Sequence, residues 1–223
     1  KLLWDDFSGV LLEAWRYSIE TNKLSESHSH SILKLLPKAG KDLKELKNWR
    51  PITLSNCDFK LITKTYANRL TKAVGEKLSN TQTAYLKGRQ IHDNIRLIKS
   101  SITYGKNNGL IVALDAKKAF DSVRHEFIIK TLEKQGLGNF VSIFQLMYKD
   151  AITDLLINKQ FCNGFKILNG VKQGDALSCI LFIMAIDPLM QNIENNPRIK
   201  ALAHQESRYE WPKAFGYADD ITL

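Results

Sequence analysis

Two adjacent acids lie near the end of the chain, in Phe215-Gly-Tyr-Ala-Asp-Asp-Ile-Thr-Leu223. Apolar residues flank Asp219 and Asp220 on both sides, which reads as two short strands around a turn at Ala218–Asp220. Adjacent carboxylates at a turn between buried strands repel each other and lose hydration, a cost that cations can offset. An exposed Asp-Asp hairpin turn is the plain alternative. Asp115 bears on the choice, because it ends the apolar run Leu110-Ile-Val-Ala-Leu114. That run has the length and composition of a buried strand. One acid at a strand end and an acid pair at a neighbouring turn could hold two divalent ions. Two ions ~3.5–4 Å apart stabilise both the attacking and the leaving oxygen of an in-line phosphoryl displacement. Mg²⁺ prefers oxygen ligands and keeps waters and substrate phosphates around it, so few carboxylates suffice. A third block, Gly170-Val-Lys-Gln-Gly-Asp-Ala-Leu-Ser-Cys179, opens a strongly apolar segment. Gly170 and Gly174 permit close backbone approach to a ligand, and Gln173 is a neutral hydrogen-bonder just before a helix. A simple turn with Asp175 or Ser178 as the helix cap reads equally well.

The elements that must carry these residues follow from periodicity. Residues 2–19 place Leu3, Trp4, Phe7, Leu11 and Trp15 at helical spacing, and Ser31–Leu36 reads as a strand ended by Pro37. A charged loop over 38–48 leads to a second strand at Ile52–Leu54. Phe59, Ile62, Tyr66, Leu70 and Val74 define a helix with a basic outer face. Gly88–Tyr104 predicts another helix with Ile91, Ile95, Ile98 and Ile102 inward. Helices over 126–135 and 140–148 are separated by Gly136-Leu-Gly138. A hairpin over 152–168 turns at Asn158-Lys159, and an apolar helix spans Ala176–Ile193. Asp187 and Pro188 interrupt its run, which argues against a membrane span. The order is α+β rather than βαβ, with two subdomains meeting near residue 108.

Composition bounds the partners. The chain has 223 residues and a formal net charge of +9. Ten basic residues lie between Lys34 and Lys72, against three acids, Asp42, Glu45 and Asp58. A cluster of that sign suits a polyanion, because each phosphate neutralised releases counterions. A solvated basic surface fits the charge equally well. Cys57, Cys162 and Cys179 are scattered and odd in number, which argues against a disulfide framework. The N-terminus is amphipathic and acidic rather than a signal peptide. The five histidines, His28, His30, His92, His125 and His204, show no ligand spacing.

Taken together the blocks resemble the reverse transcriptases, and among them the non-LTR (LINE-type) retrotransposon enzymes, from about Trp4 to Leu223. Leu35-Leu-Pro-Lys-Ala-Gly-Lys41 and Asn48-Trp-Arg-Pro-Ile-Thr-Leu54 look like that family's fingers motif. Thr81-Gln-Thr-Ala-Tyr85 and Gly88-Arg-Gln-Ile-His-Asp-Asn94 look like the next. Ala113–Val123 resembles palm motif A, Gly170–Phe182 motif B and Tyr217-Ala-Asp-Asp220 motif C. The resemblance implies a right-hand polymerase fold. Residues 1–108 would be an N-terminal extension and fingers, and 109–223 a palm whose antiparallel sheet packs on helices. It implies Asp115 and Asp219 as principal ligands of two Mg²⁺ ions (Mn²⁺ as a substitute), with Asp220 the second acid of the turn. It places Lys38 and Arg50 on the incoming triphosphate and Phe120 as the steric gate against a ribose 2′-OH. Gln173 and Gly174 would lie beside the nascent base pair. Asp121 reads as structural, a cap before the helix that follows. Lys172 stands where the family commonly has Arg, and Ala176 and Cys179 stand where prolines are common.

The implied partners are an RNA template, a DNA primer or target and dNTPs, with no membrane. The implied setting is a cytoplasmic ribonucleoprotein and then the nucleus. A non-catalytic nucleic-acid-binding remnant or domesticated domain is the alternative reading, and an RNA-directed RNA polymerase is a third. The sequence stops three residues after the acid pair. The expectation is therefore a palm without its thumb, poorly processive or inactive alone.

Overall fold

The computed structural model describes residues 4–104, 109–201 and 211–223. Leu3, the expected boundary near residue 108 and His204 lie outside them. In chain order the elements are α1 (Trp4–Glu20), a one-turn α2 (Glu26–Ser29), β1 (His30–Pro37), β2 (Trp49–Leu54) and α3 (Cys57–Val74). Then come α4 (Ile91–Tyr104), β3 (Ala113–Asp115), a one-turn α5 (Ala119–Ser122), α6 (His125–Lys134) and α7 (Gly138–Tyr148). The chain continues through β4 (Ile152–Ile157), β5 (Gln160–Lys166), α8 (Ala176–Glu194), β6 (Phe215–Tyr217) and β7 (Asp220–Thr222). The class is α+β.

The described residues form two sheets. The four-stranded sheet runs β2-β1-β4-β5, with β1 and β4 parallel and the other pairs antiparallel. It draws two strands from before residue 108 and two from after. Its β4–β5 hairpin turns through Asn158 and Lys159, both at positive φ (50° and 66°), the two-residue turn whose twist suits paired strands. The second sheet runs β3-β7-β6, all antiparallel. A bridge from Gln82 to Gly216 extends it beyond β6.

The core forms around α8. Leu181 and Ile183 are fully buried, and Leu177, Ile180, Phe182 and Met184 nearly so. The helix packs against α3 and α6. Fully burying a Leu or Phe contributes roughly 1.5–3 kcal/mol, so this helix anchors the domain. It runs unbroken through Pro188. By length and composition it could cross a bilayer, but most of it is buried inside the protein. Asp187, buried in its last turns, accepts a hydrogen bond from the Ser79 backbone N–H (2.8 Å) and another from Gln191. The helix expected over Ala176–Ile193 is thus continuous, with Asp187 and Pro188 inside it.

Three expectations are corrected. The isoleucine stripe of α4 does not face inward: Ile91, Ile95 and Ile102 are exposed, while Asn94 and Ser101 are buried. Asn94 turns the helix, because its amide donates to the carbonyls of Thr81 (2.7 Å) and Gly216 (3.1 Å), and a buried amide is held where its partners are. The run before Asp115 is not a buried strand. The pairing with β7 extends only from Val112, bonded to Leu223, to Asp115, and among the described residues β3 has a strand on one side only, so Leu110 (80% exposed), Ile111 and Leu114 stay open. Asp121 caps nothing: it lies in α5, and the residue that precedes α6 is Arg124.

Candidate active site

The acid residues meet at the end of the smaller sheet. Asp115 closes β3 directly opposite Asp220, the first residue of β7. Directly opposed residues on neighbouring strands project from the same face, so these two carboxylates share one. Asp219 precedes Asp220 in the β6–β7 turn. There the backbone reverses through Ala218 and Asp219, with Tyr217 opposite Asp220. The turn has positive φ at Ala218 (57°) and not at Asp219. That is the hairpin pattern whose first central position normally takes glycine. Burial pushes the Asp219 carboxyl above the usual carboxylate range, and the nearby charges of Asp220 and Asp115 push the same way. The three acids therefore share one uncompensated electrostatic neighbourhood. Their donors are all oxygens, which fits a hard divalent cation. Among the described residues no three acid, His or Cys side chains close into a cage. An open carboxylate set still fits Mg²⁺, which draws much of its shell from water and substrate.

The loop that opens α8 is tied to β2 on one side and to the segment after β3 on the other. The Gly170 N–H donates to Val123 (2.8 Å) and the Val171 N–H to Phe120 (2.9 Å), while His125 Nε2 reaches the Gly170 carbonyl (2.8 Å). Gly170 has φ +79° and no room for a side chain, since a Cβ would stand 2.7 Å from Phe120 O and Asp121 Cα. On the other side the Thr53 N–H of β2 donates to Gln173 O (2.8 Å), and Gly174, at φ +110°, leaves only 2.9 Å between a Cβ and Thr53 O. The loop is thus a keystone between β2 and the segment after Asp115. Asp175 caps α8, accepting from the Leu177 N–H (2.9 Å). Its carboxyl is raised by burial.

The other sequence-predicted residues fall around this loop. Phe120 stacks on Phe182 of α8 at 4.5 Å between centroids. Arg50 is exposed on β2, opposite Leu36. Lys38 is half-buried, its Nζ donating to the Lys47 carbonyl (3.0 Å). Lys172 is buried, with its Nζ 5.4 Å from the Phe59 ring and no hydrogen-bond partner among the described residues. Burial lowers it to about 8, although Asp175 pulls the other way. Tyr85 is half-exposed. It edges a cleft of about 500 Å³ lined also by Lys64, Asn68, Lys87 and Cys179. Its hydroxyl is pushed up to about 12, first by burial, then by Cys179 and Asp219. Another cleft, about 710 Å³ between α1, α2 and α7, contains none of the three acids.

Sequence reasoning gave no role to Gln82 and Asn94, which bond the acid turn and the strand before it. They stand in blocks that looked like family motifs, and that was the available signal. His28 and His125 are hydrogen-bonded, to Asp58 (2.9 Å) and to the Gly170 carbonyl.

Comparisons with known proteins agree with the family resemblance. The family described as reverse transcriptase (RNA-dependent DNA polymerase) matches residues 36–223. The chain is 34% identical, over its whole length, to the transposon TX1 uncharacterized 149 kDa protein of Xenopus laevis, and spans 17% of that protein. It is 30% identical, over 85% of its length, to the retrovirus-related Pol polyprotein from the type-1 retrotransposable element R2 of Popillia japonica, and spans 26% of it. The chain thus covers a minor part of the relatives it matches. Telomerase structures from Candida tropicalis share the fold, with TM-scores of 0.54 over 89% and 0.57 over 98% of this chain. They cover 44% and 39% of those chains, at 14% and 13% identity. With its motifs in order and five-sixths of its length matched, the chain belongs to the reverse transcriptase (RNA-dependent DNA polymerase) family.

Proposed function

We propose that the chain supplies the fingers (1–108, with an N-terminal extension) and palm (109–223) of an RNA-directed DNA polymerase of a non-LTR retrotransposon. The observation that carries this reading is Asp115 standing opposite Asp220 with Asp219 at the adjoining turn. The primer 3′-hydroxyl would attack the α-phosphate of a deoxynucleotide while the bond to the leaving pyrophosphate breaks. Two Mg²⁺ ions, or Mn²⁺, held by Asp115, Asp219 and Asp220 would offset charge on the reacting oxygens.

The chain's own residues position the reactants. Arg50, exposed on β2, would grip a triphosphate with its planar fork, and Lys38 would add a point charge on leaving the Lys47 carbonyl. Phe120, fixed by its stack on Phe182, would exclude a 2′-hydroxyl. Gln173 and Gly174, locked on Thr53, would flank the new base pair. The partners are an RNA template and a DNA primer or target, met first in a cytoplasmic ribonucleoprotein and then in the nucleus.

The test is primer extension on an RNA template, with Mg²⁺ and either dNTPs or rNTPs, by a longer protein that contains this chain. The unmutated protein incorporates dNTPs, while Asp115→Ala and Asp219→Ala do not. Extension that survives either substitution would sink the assignment. RNA binding without any extension would favour the non-catalytic remnant, and preference for rNTPs an RNA polymerase.

A further inference from the structure

Gln82 is completely buried, although it stands in the polar segment between α3 and α4. Its amide is directed at one residue 136 positions away. Gln82 Oε1 accepts from the Ala218 N–H (3.0 Å), and Nε2 donates to the Ala218 carbonyl (3.3 Å). The same Oε1 accepts from the Ala84 N–H (3.2 Å). The side chain therefore pairs with both backbone groups of Ala218, as a strand neighbour would.

Ala218 needs such a partner. It immediately precedes Asp219 and holds φ +57°, a conformation that is strained for a side-chain-bearing residue and persists only where its surroundings enforce it. The surroundings do. Thr83 N–H donates to the Gly216 carbonyl and Gly216 N–H to the Thr81 carbonyl, each at 3.0 Å. Asn94 donates to that same Gly216 carbonyl. A Cβ on Gly216 would stand 2.9 Å from Gln82 Nε2 and 2.8 Å from Met190 Sδ, so the strand lies directly against the clamp. Arg89 fixes the clamp's own backbone by donating to the carbonyls of Gly75, Ser79 and Gln82 (2.6, 2.6 and 2.9 Å).

We propose that Gln82 is a positioning residue for the acid turn. By holding Ala218 left-handed it sets where the Asp219 and Asp220 carboxylates stand relative to Asp115. The proposal rests on the polymerase reading for its functional consequence, but the clamp can be tested without it. Gln82→Met keeps the side-chain length and volume while removing both hydrogen bonds to Ala218. Ala218→Gly supplies a residue that takes positive φ without a clamp.

Three readouts decide the matter: hydrogen exchange at the Ala218 amide, Mn²⁺ affinity, and kcat against dNTP KM in primer extension. Gln82→Met is expected to expose the Ala218 amide to exchange while α8 stays protected. Mn²⁺ affinity and kcat should fall ~10–100-fold, the range for partners that orient a metal ligand, with KM nearly unchanged. Ala218→Gly in the Gln82→Met background is expected to recover part of both losses, which the filling of a core position would not do. Should Gln82→Met fail to fold, Gln82→Asn keeps the amide, shortens its reach and carries the same test. Unchanged Ala218 exchange and unchanged Mn²⁺ affinity would overturn the proposal. An unmutated protein that extends no primer would count against the polymerase reading alone, because the exchange and Mn²⁺ arms still decide the clamp.

Discussion

The loop that opens α8 and the strand that carries Asp115 are held in opposite ways. The loop is gripped from both sides, by Thr53 through Gln173 and by Phe120 and Val123 through Gly170 and Val171, and it leads into the most buried helix of the chain. Asp115 ends a three-residue edge strand whose own residues are all exposed, and β7 is its one strand partner among those described. Its position is therefore inherited from β7, which is joined by the acid turn to β6, and β6 rests on the Thr81–Thr83 segment. The difference teaches that the acids owe their geometry to a relay of backbone pairings. The loop before α8 owes its geometry to backbone bonds on two sides together with the close approach of Gly170 and Gly174 to their neighbours. Substitutions should separate the two regimes.

The largest stability effect belongs to the packed side. Leu181→Ala, at a fully buried position, should cost ~2–5 kcal/mol in denaturant unfolding. Gly174→Ala comes next. Its backbone conformation and the Thr53 carbonyl both oppose a Cβ, so a loss of ~1–3 kcal/mol is expected, with a raised dNTP KM. Lys172→Met follows and has a sign. The folded-state Lys172 sits near 8 against 10.5 when unfolded, so between those values the unfolded chain binds the extra proton. Wild-type stability from this group then rises with pH from about 8 to 10.5 and is lowest below 8. Lys172→Met should therefore stabilise the protein at pH 7, and stability curves across that range should converge at the alkaline end. The smallest effect belongs to the edge: Leu114→Ala should stay within ~0.5 kcal/mol. A cost at Leu114 equal to that at Leu181 would break the comparison.

The same contrast governs what could be read in advance. The strands at 30–37 and 152–166, and the helix at 176–194, were legible because local pattern and tertiary role agree there. The Asn158-Lys159 turn shows this well, closing a hairpin with both residues at positive φ. The α4 stripe was legible as amphipathic but not as to which face is buried. Isoleucines every three or four residues look the same either way, and the direction is decided by Asn94 finding the Thr81 and Gly216 carbonyls. The run Leu110–Leu114 announces a wish for cover, but burial depends on neighbours the run does not encode. Asp115, Asp219 and Asp220 were visible as acids bordering apolar residues. Gln82 gave no such signal, because a glutamine among threonines reads as a loop until the acid turn is folded against it.

The most direct test of the account is Mn²⁺ binding, followed by the loss of the free-ion electron paramagnetic resonance signal. It would compare the unmutated chain with Asp115→Asn and Asp219→Asn. The account predicts saturable binding that each substitution weakens by more than ~10-fold, since removing a ligand should exceed the smallest effect of removing a ligand's support. Equal binding by all three proteins would contradict the claim that these carboxylates form one metal-holding site.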